Sequence, residues 1–344
     1  MLGDDRLVTI HDVAEHARVS VGTVSRVINA HPSVRPPIRE AVLSSIRELG
    51  YQPNTLARDL RRSRTRTLGL VVPDLNNPQA VSLLRGAEDA AHEAGYSVVI
   101  AESRSDGEME SLHLQALLDR RVDGLLCAPV RSIELVARKA ETAGVPVVIV
   151  SQRVPHRTVP TVYVEESTAI NAAIDNLLAL GHRRFAVIHA DGNPSGRARS
   201  EQVRQRLAAS GLIDTALNQL LWPFSGAAEC EALVTRLLTA PEPPTALIIG
   251  GHQFLPAILV GVRRAAKAIP ADVSLVAFGD SRWAEAMSPT VSVITSNQKQ
   301  HAVDAVQMLL KLIDGDESAP RSTRSESVFI ARESCGPARG MMAL

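Results

Sequence analysis

From residue 67 onward the chain alternates short apolar runs with longer amphipathic stretches, over and over. The runs LGLVV at 68, YSVVIA at 96, VDGLLCA at 122, VPVVIV at 145, FAVIHA at 185, TALIIG at 245 and DVSLVAF at 272 have the length of strands. Apolar at successive positions, they read as strands buried on both faces. Between them, residues 79–94, 108–120, 131–143, 166–180, 199–210, 226–239, 254–267 and 298–313 place apolar residues at helical spacing. Buried parallel strands joined by helices predict a doubly wound α/β body. More than ten strands is large for one open sheet, so two lobes with a cleft between them are expected.

Residues 1–66 contain no strand-like run. Thr9, with Asp12 three residues on, has the form of a capping box, and Ile10, Val13, Ala14 and Ala17 continue it as an apolar stripe. A second helix is expected from Ser20, with Val24, Val27 and Ile28 inward. A third follows Pro36 and Pro37 and runs through Val42, Ile46 and Leu49 to a stop at Gly50. Two helices joined by a short turn, the second opening on small polar residues, is the helix-turn-helix plan. The inward set on the second helix leaves Val21, Gly22, Ser25, Arg26 and Asn29 facing outward.

Charge strengthens this division. The 344 residues carry 37 bases and 37 acids, a net charge of zero. Residues 1–66 nevertheless hold 11 Arg against 7 acids, so a net +4 head stands on a net −4 body. That is the distribution expected where the head alone meets phosphate. With 45% hydrophobic and 22% charged residues the chain is an ordinary globular protein, and no apolar run has the length to span a bilayer. The start, MLGDDRLVTI, has no secretory pattern, which makes the cytoplasm the expected location. Cys127, Cys230 and Cys335 are scattered without a C-x-x-C and read as reduced packing residues. Nucleotide-binding glycine motifs, a nucleophile elbow and H-E-x-x-H are absent, so neither catalysis, a cofactor nor a metal is expected. His182, in GHRR, reads as a loop or cap residue. A transport binding protein would share the two lobes but not the basic head.

The segment TIHDVAEHARVSVGTVSRVIN, followed by GYQPNTLARDL, resembles the DNA-binding head and hinge of the lactose-repressor (LacI) family of bacterial transcription regulators. Similarity continues from LGLVVPDLNNP at 68 to ARES at 331. The resemblance implies a helix-turn-helix head over 1–50, a hinge helix and linker over 51–66, and a two-lobed body over 67–344 like that of periplasmic sugar-binding proteins. Lobe one would comprise about 67–161 and 292–320, and lobe two about 162–291 and 321–344. It implies a homodimeric repressor of transcription on double-stranded operator DNA, switched by a small-molecule effector such as a sugar, a sugar acid or a related metabolite. The sequence after ARES, CGPARGMMAL, has no heptads for a tetramerising coiled coil.

Carried over position by position, the DNA-binding residues are Thr9, Ser20, Val21, Gly22, Thr23, Ser25, Arg26, Asn29, Tyr51, Asn54, Ala57 and Leu60. Arg26 offers a donor fork to a guanine edge, Val21 a methyl contact to thymine, and Gly22 close backbone approach. The hydroxyls suit phosphate oxygens. Leu60 would wedge between base pairs in the minor groove. Arg18 stands where the family usually has a turn glycine, and Arg35 where it has a Ser cap. The effector positions are Gln79, Ser151, Ser195, Arg199, Phe224, His252, Asp280 and Ser296. Gln79 and Ala80 replace the usual stacking aromatics, for which Phe224 and Trp283 are the nearest substitutes. Ser151-Gln152 replaces Asp-Arg, and His252-Gln253 replaces Asn-Asp. Arg199 retains a fork suited to carboxylate or phosphate. A sugar acid, a sugar phosphate or a non-sugar is expected, and a neutral sugar equally so.

Overall fold

The computed structural model describes residues 8–28, 31–51, 64–130, 132–150, 159–190, 194–212, 221–316, 318 and 320–339. Its contacts cluster into two units, divided between Thr65 and Arg66.

The first unit holds helices α1 (Ile10–His16), α2 (Val21–Ile28) and α3 (Pro36–Leu49). The expected capping box is present: the Thr9 N–H donates to the Asp12 carboxylate at 2.7 Å, and the Asp12 N–H donates to Thr9 Oγ1 at 3.4 Å. Between α1 and α2 the chain turns at Arg18 with φ 55°, a left-handed conformation held by a residue with a Cβ. Helix α3 starts at Arg35 without a side-chain cap and stops at Gly50, whose φ of 63° suits glycine. Val13, Ala14, Val24, Val27, Val34 and Val42 are buried together as its small core.

The second unit runs β1 (Thr67–Val72), α4 (Pro78–Glu93), β2 (Ser97–Glu102), α5 (Gly107–Asp119), β3 (Gly124–Cys127), α6 (Ile133–Thr142), β4 (Val147–Val150), β5 (Thr161–Glu165) and α7 (Ser167–Ala179). It continues with β6 (Phe185–Ala190), α8 (Pro194–Ala209), β7 (Leu221–Phe224), α9 (Ala227–Thr239), β8 (Ala246–Ile249), α10 (Leu255–Arg264) and β9 (Ser274–Phe278). It closes with α11 (Arg282–Ala286), β10 (Ser292–Ser296), α12 (Gln298–Ile313) and β11 (Ser322–Ile330). The strands lie in the order β2-β1-β3-β4-β5-β11-β10-β9-β8-β6-β7. All pairings are parallel except β10 with β11. Each half of this array has apolar clusters on both faces, as a doubly wound sheet requires.

The chain passes between the lobes three times. One passage follows β5, which pairs with β4 in the first lobe. Another follows β10, which pairs with β9 in the second lobe, while α12 behind it packs on α4, β3 and β4. The third lies inside β11, where Ser322–Glu326 pair with β5 and Ser327–Ile330 with β10. The expected boundaries therefore shift: β5 belongs to lobe one and β10 to lobe two. Residues 166 and 297, where the first two passages occur, carry no Pro or Gly signal to mark them. His182 lies in the loop before β6, as expected, and is buried there as an anchor. Its Nδ1 bonds Thr245 Oγ1 at 2.9 Å, and its Nε2 bonds Ser274 Oγ at 2.9 Å and the Gly336 carbonyl at 3.0 Å. Among the described residues no helix is long and apolar enough to cross a membrane.

Candidate functional site

The structure offers two candidate sites, one in each unit. On α2, Val24 and Val27 are buried, Gly22 and Arg26 are exposed, and Val21, Thr23 and Ser25 are half-buried. Of the face expected to point outward, Gly22 and Arg26 do so, while Ser25 is half-buried and Val21 packs against the head core. Ser20 caps α2, accepting from the Thr23 N–H at 3.2 Å, and the two hydroxyls lie 2.9 Å apart. These groups order the helix start and leave lone pairs and amides at its exposed end. A Cβ added to Gly22 would meet only Ser20 Oγ at 3.8 Å and an Arg26 nitrogen at 3.9 Å. Nothing in the head requires glycine there, although glycine within a helix costs about 1 kcal/mol relative to alanine. Thr9 is exposed, and Tyr51 packs against the head core. Asn29, Asn54, Ala57 and Leu60 lie outside the described residues, as does the arginine-rich part of the hinge.

In the second unit a cavity of about 100 Å³ lies between the lobes at the carboxyl ends of the strands, where ligands of doubly wound sheets bind. From lobe one it is lined by Asp74, Asn77, Gln79, Ser105 and Gln298, among others. From lobe two come Ser195, Arg199, His252, Gln253 and Phe278. Ser105 and Val130 also border a wider depression edged by Asp106, Glu108, His189, Arg197 and Glu201.

Four expected effector residues, Gln79, Ser195, Arg199 and His252, thus meet at one cavity. Others do not. Phe224 is fully buried and packs edge-on against Phe254, with centroids 4.7 Å apart, in the core of lobe two. Trp283 is 76% exposed and does not line the cavity. The Asp280 carboxylate is taken by Arg332 at 2.9 and 2.7 Å and by the Ser281 N–H at 2.8 Å. Ser296 acts one step back, its hydroxyl accepting from Gln298 Nε2 at 2.8 Å. Ser151 lies outside the described residues. Gln253, named beside His252 as the replacement for Asn-Asp, also lines the cavity, whereas Phe278 and Gln298 are cavity residues that sequence reasoning did not single out. Position at the end of β9 and at the start of α12 was the available signal.

Arg199 corrects an expectation. Its fork faces Glu166, with Nε 2.9 Å from both carboxylate oxygens and a terminal nitrogen 2.7 Å from one. Its guanidinium carbon also sits 5.0 Å from the centroid of the Phe278 ring. The charge that suited an anionic ligand is compensated within the protein. His252 donates to or accepts from Ser281 Oγ at 2.7 Å through Nε2, and burial lowers its pKa, favouring the neutral ring. His252 Nδ1 and Gln253 Oε1 are buried without a hydrogen-bond partner among the described residues. Buried polar atoms left without a partner are costly. Among the described residues no group of three His, Cys, Asp or Glu side chains is arranged to hold a metal ion.

Residues 9–54 match the model for bacterial regulatory proteins of the lacI family, and residues 174–335 match that for a periplasmic binding protein-like domain. Catabolite control protein A of Priestia megaterium is 30% identical over 307 residues, 88% of this chain and 91% of its own. A transcriptional regulator CelR–cellobiose complex is 29% identical with a TM-score of 0.68, covering 95% of this chain and 99% of that one. The lac repressor dimer bound to operator and an anti-inducer shares the fold, with a TM-score of 0.84 at 22% identity, covering 96% and 100%.

Proposed function

Since this chain belongs to the LacI family of bacterial regulatory proteins, we propose that it is a dimeric repressor whose hold on operator DNA is set by a small uncharged effector bound between the lobes of its body. It is a transcriptional regulator, and its α2 is the element that reads DNA. The observation that carries this reading is the outward face of α2, where Arg26 stands exposed beside a glycine the head does not need. A guanidinium there can donate twice to a guanine edge, while Gly22 lets the backbone approach. Thr9, Ser20, Thr23 and Ser25 are assigned to phosphate and base-edge contacts, with Val21 on a thymine methyl. One such helix covers few base pairs, so two copies on a two-fold site are required. The protein acts by binding, as the regulators it resembles do, and works in the cytoplasm.

The uncharged effector is argued from the cavity. Arg199 is neutralised by Glu166, burial favours the neutral ring of His252, and the remaining polar lining is four carboxamides, two serines and Asp74, whose carboxylate accepts from the Asn76 N–H at 2.8 Å. A ligand with several hydroxyl groups would pair with the carboxamides and serines of this lining, and the CelR complex holds cellobiose.

Two experiments test the two halves. Selection of random duplexes by the full-length protein should enrich two-fold symmetric sites. A monomer that enriches no sequence would overturn the regulator reading. Thermal unfolding against a panel of neutral sugars and their sugar-acid counterparts should show stabilisation by neutral members. Stabilisation by acids alone would overturn the effector assignment.

A further inference from the structure

Gln79 joins the two lobes directly. Its Nε2 donates to the main-chain carbonyl of Asp280 at 2.7 Å, linking the first turn of α4 in lobe one to the loop after β9 in lobe two. Both ends of this bond are held in place. Asn77 caps α4 by accepting from the Gln79 N–H at 3.0 Å, and Pro78 opens the helix, so the base of the glutamine is fixed. Across the cleft, the Asp280 side chain is clamped by Arg332, which also donates to the Val291 carbonyl at 2.9 Å.

Gly279 makes the approach possible. Its φ is 97°, and a Cβ there would lie 3.0 Å from Gln79 Cγ and 3.1 Å from His252 Cβ. Backbone conformation and space together call for glycine. With the glutamine in this place the cavity is about 100 Å³, below the ~300–1,000 Å³ typical of small-molecule sites. A ligand of ordinary size therefore needs the lobes apart or the Gln79 side chain withdrawn.

We propose that Gln79 is a latch, a positioning residue that holds the lobes together through protein atoms alone and competes with the effector for the mouth of the site. The consequence for DNA rests on the regulator reading given above, but the latch itself does not. Residue 79 sets the balance between closed and open lobes, and the effector acts on a balance already biased toward closure.

The test is a distance measurement between spin labels at Glu108→Cys and Ala198→Cys in the full-length protein, with Cys335→Ser to remove the least buried native thiol. Both labelled positions are exposed and border the depression from opposite lobes. Gln79→Leu keeps the bulk, and Gln79→Glu removes the donor. Each should lower the ratio of short to long distances about fivefold, the factor expected for one hydrogen bond of ordinary net worth, with the melting temperature within a few degrees of the parent. Unchanged distance distributions in both variants would overturn the latch. Should Gln79→Leu unfold, Gln79→Asn keeps the amide but falls one methylene short, and it reads the same contact. No DNA enters this experiment, so its failure is separable from failure of the duplex selection.

Discussion

Gly22 and Arg18 are the two head positions where function and local stability pull apart. Replacing Gly22 by Ala should stabilise the head by about 0.5–1 kcal/mol, because the new methyl meets only ordinary contacts. It should weaken duplex binding by crowding the groove, and calorimetric melting beside an anisotropy titration would read the opposite signs. Arg18→Gly should raise head stability by up to about 1 kcal/mol by relieving the left-handed backbone, with little effect on which sequence is bound. Arg26→Ala should cost about 1–3 kcal/mol of discrimination at one base pair, read by competition between the preferred duplex and single-base variants. The exposure of Gly22 and Arg26 was legible from the sequence because helical spacing sets which side of α2 turns away from the core, although Val21, placed on the same side, packs against it. The cleft was less so. Arg199 meets a carboxylate 33 residues away and Asp280 a guanidinium 52 residues away, and neither pairing leaves a local pattern.

Among elements, the strands found in advance were those that read as continuous apolar runs; GLLC, VVIV, ALII and SLVAF are buried throughout, whereas YSVVIA, expected to be buried on both faces, forms the half-exposed edge strand β2. TVYVE, LWPF, SVITS and STRSESVFI did not stand out, since they are broken by polar residues or proline. The five-residue α11 is too short to show a period. Most long helices matched to within about three residues, because their apolar residues recur at helical spacing, but α8, mostly polar, begins at Pro194, five residues before the expected start. One of them carries a titrating group. His301 on α12 is buried with Nδ1 3.1 Å from Ser325 Oγ, near Asp304, and burial pushes its pKa from 6.5 to about 4. The fold therefore favours the neutral ring. Its contribution is complete above pH 6.5 and is lost as pH falls toward 4, by about 3 kcal/mol. His182, also lowered by burial, adds in the same direction. Urea unfolding at steps from pH 7 to pH 4.5 should show this decline, and His301→Gln should flatten it.

For the whole molecule, the sequence divided head from body by charge and by hydrophobic period, and both units are present in the structure. A net +4 head implies that duplex affinity falls steeply with salt. Titration of the full-length protein across salt concentrations should give a straight line of negative slope in log–log form, with Arg26→Ala shifting its height more than its slope. The lobe boundaries were harder to see, because the passages between lobes run through ordinary polar residues. Strand β11 has the largest consequence of these passages. Since it changes partners between Glu326 and Ser327 while its own backbone continues unbroken, it is one of three covalent ties between the lobes, and turning one lobe against the other must twist the chain there as well as after β5 and after β10. A turn about those three ties is the kind of movement that two joined copies could pass on to their heads.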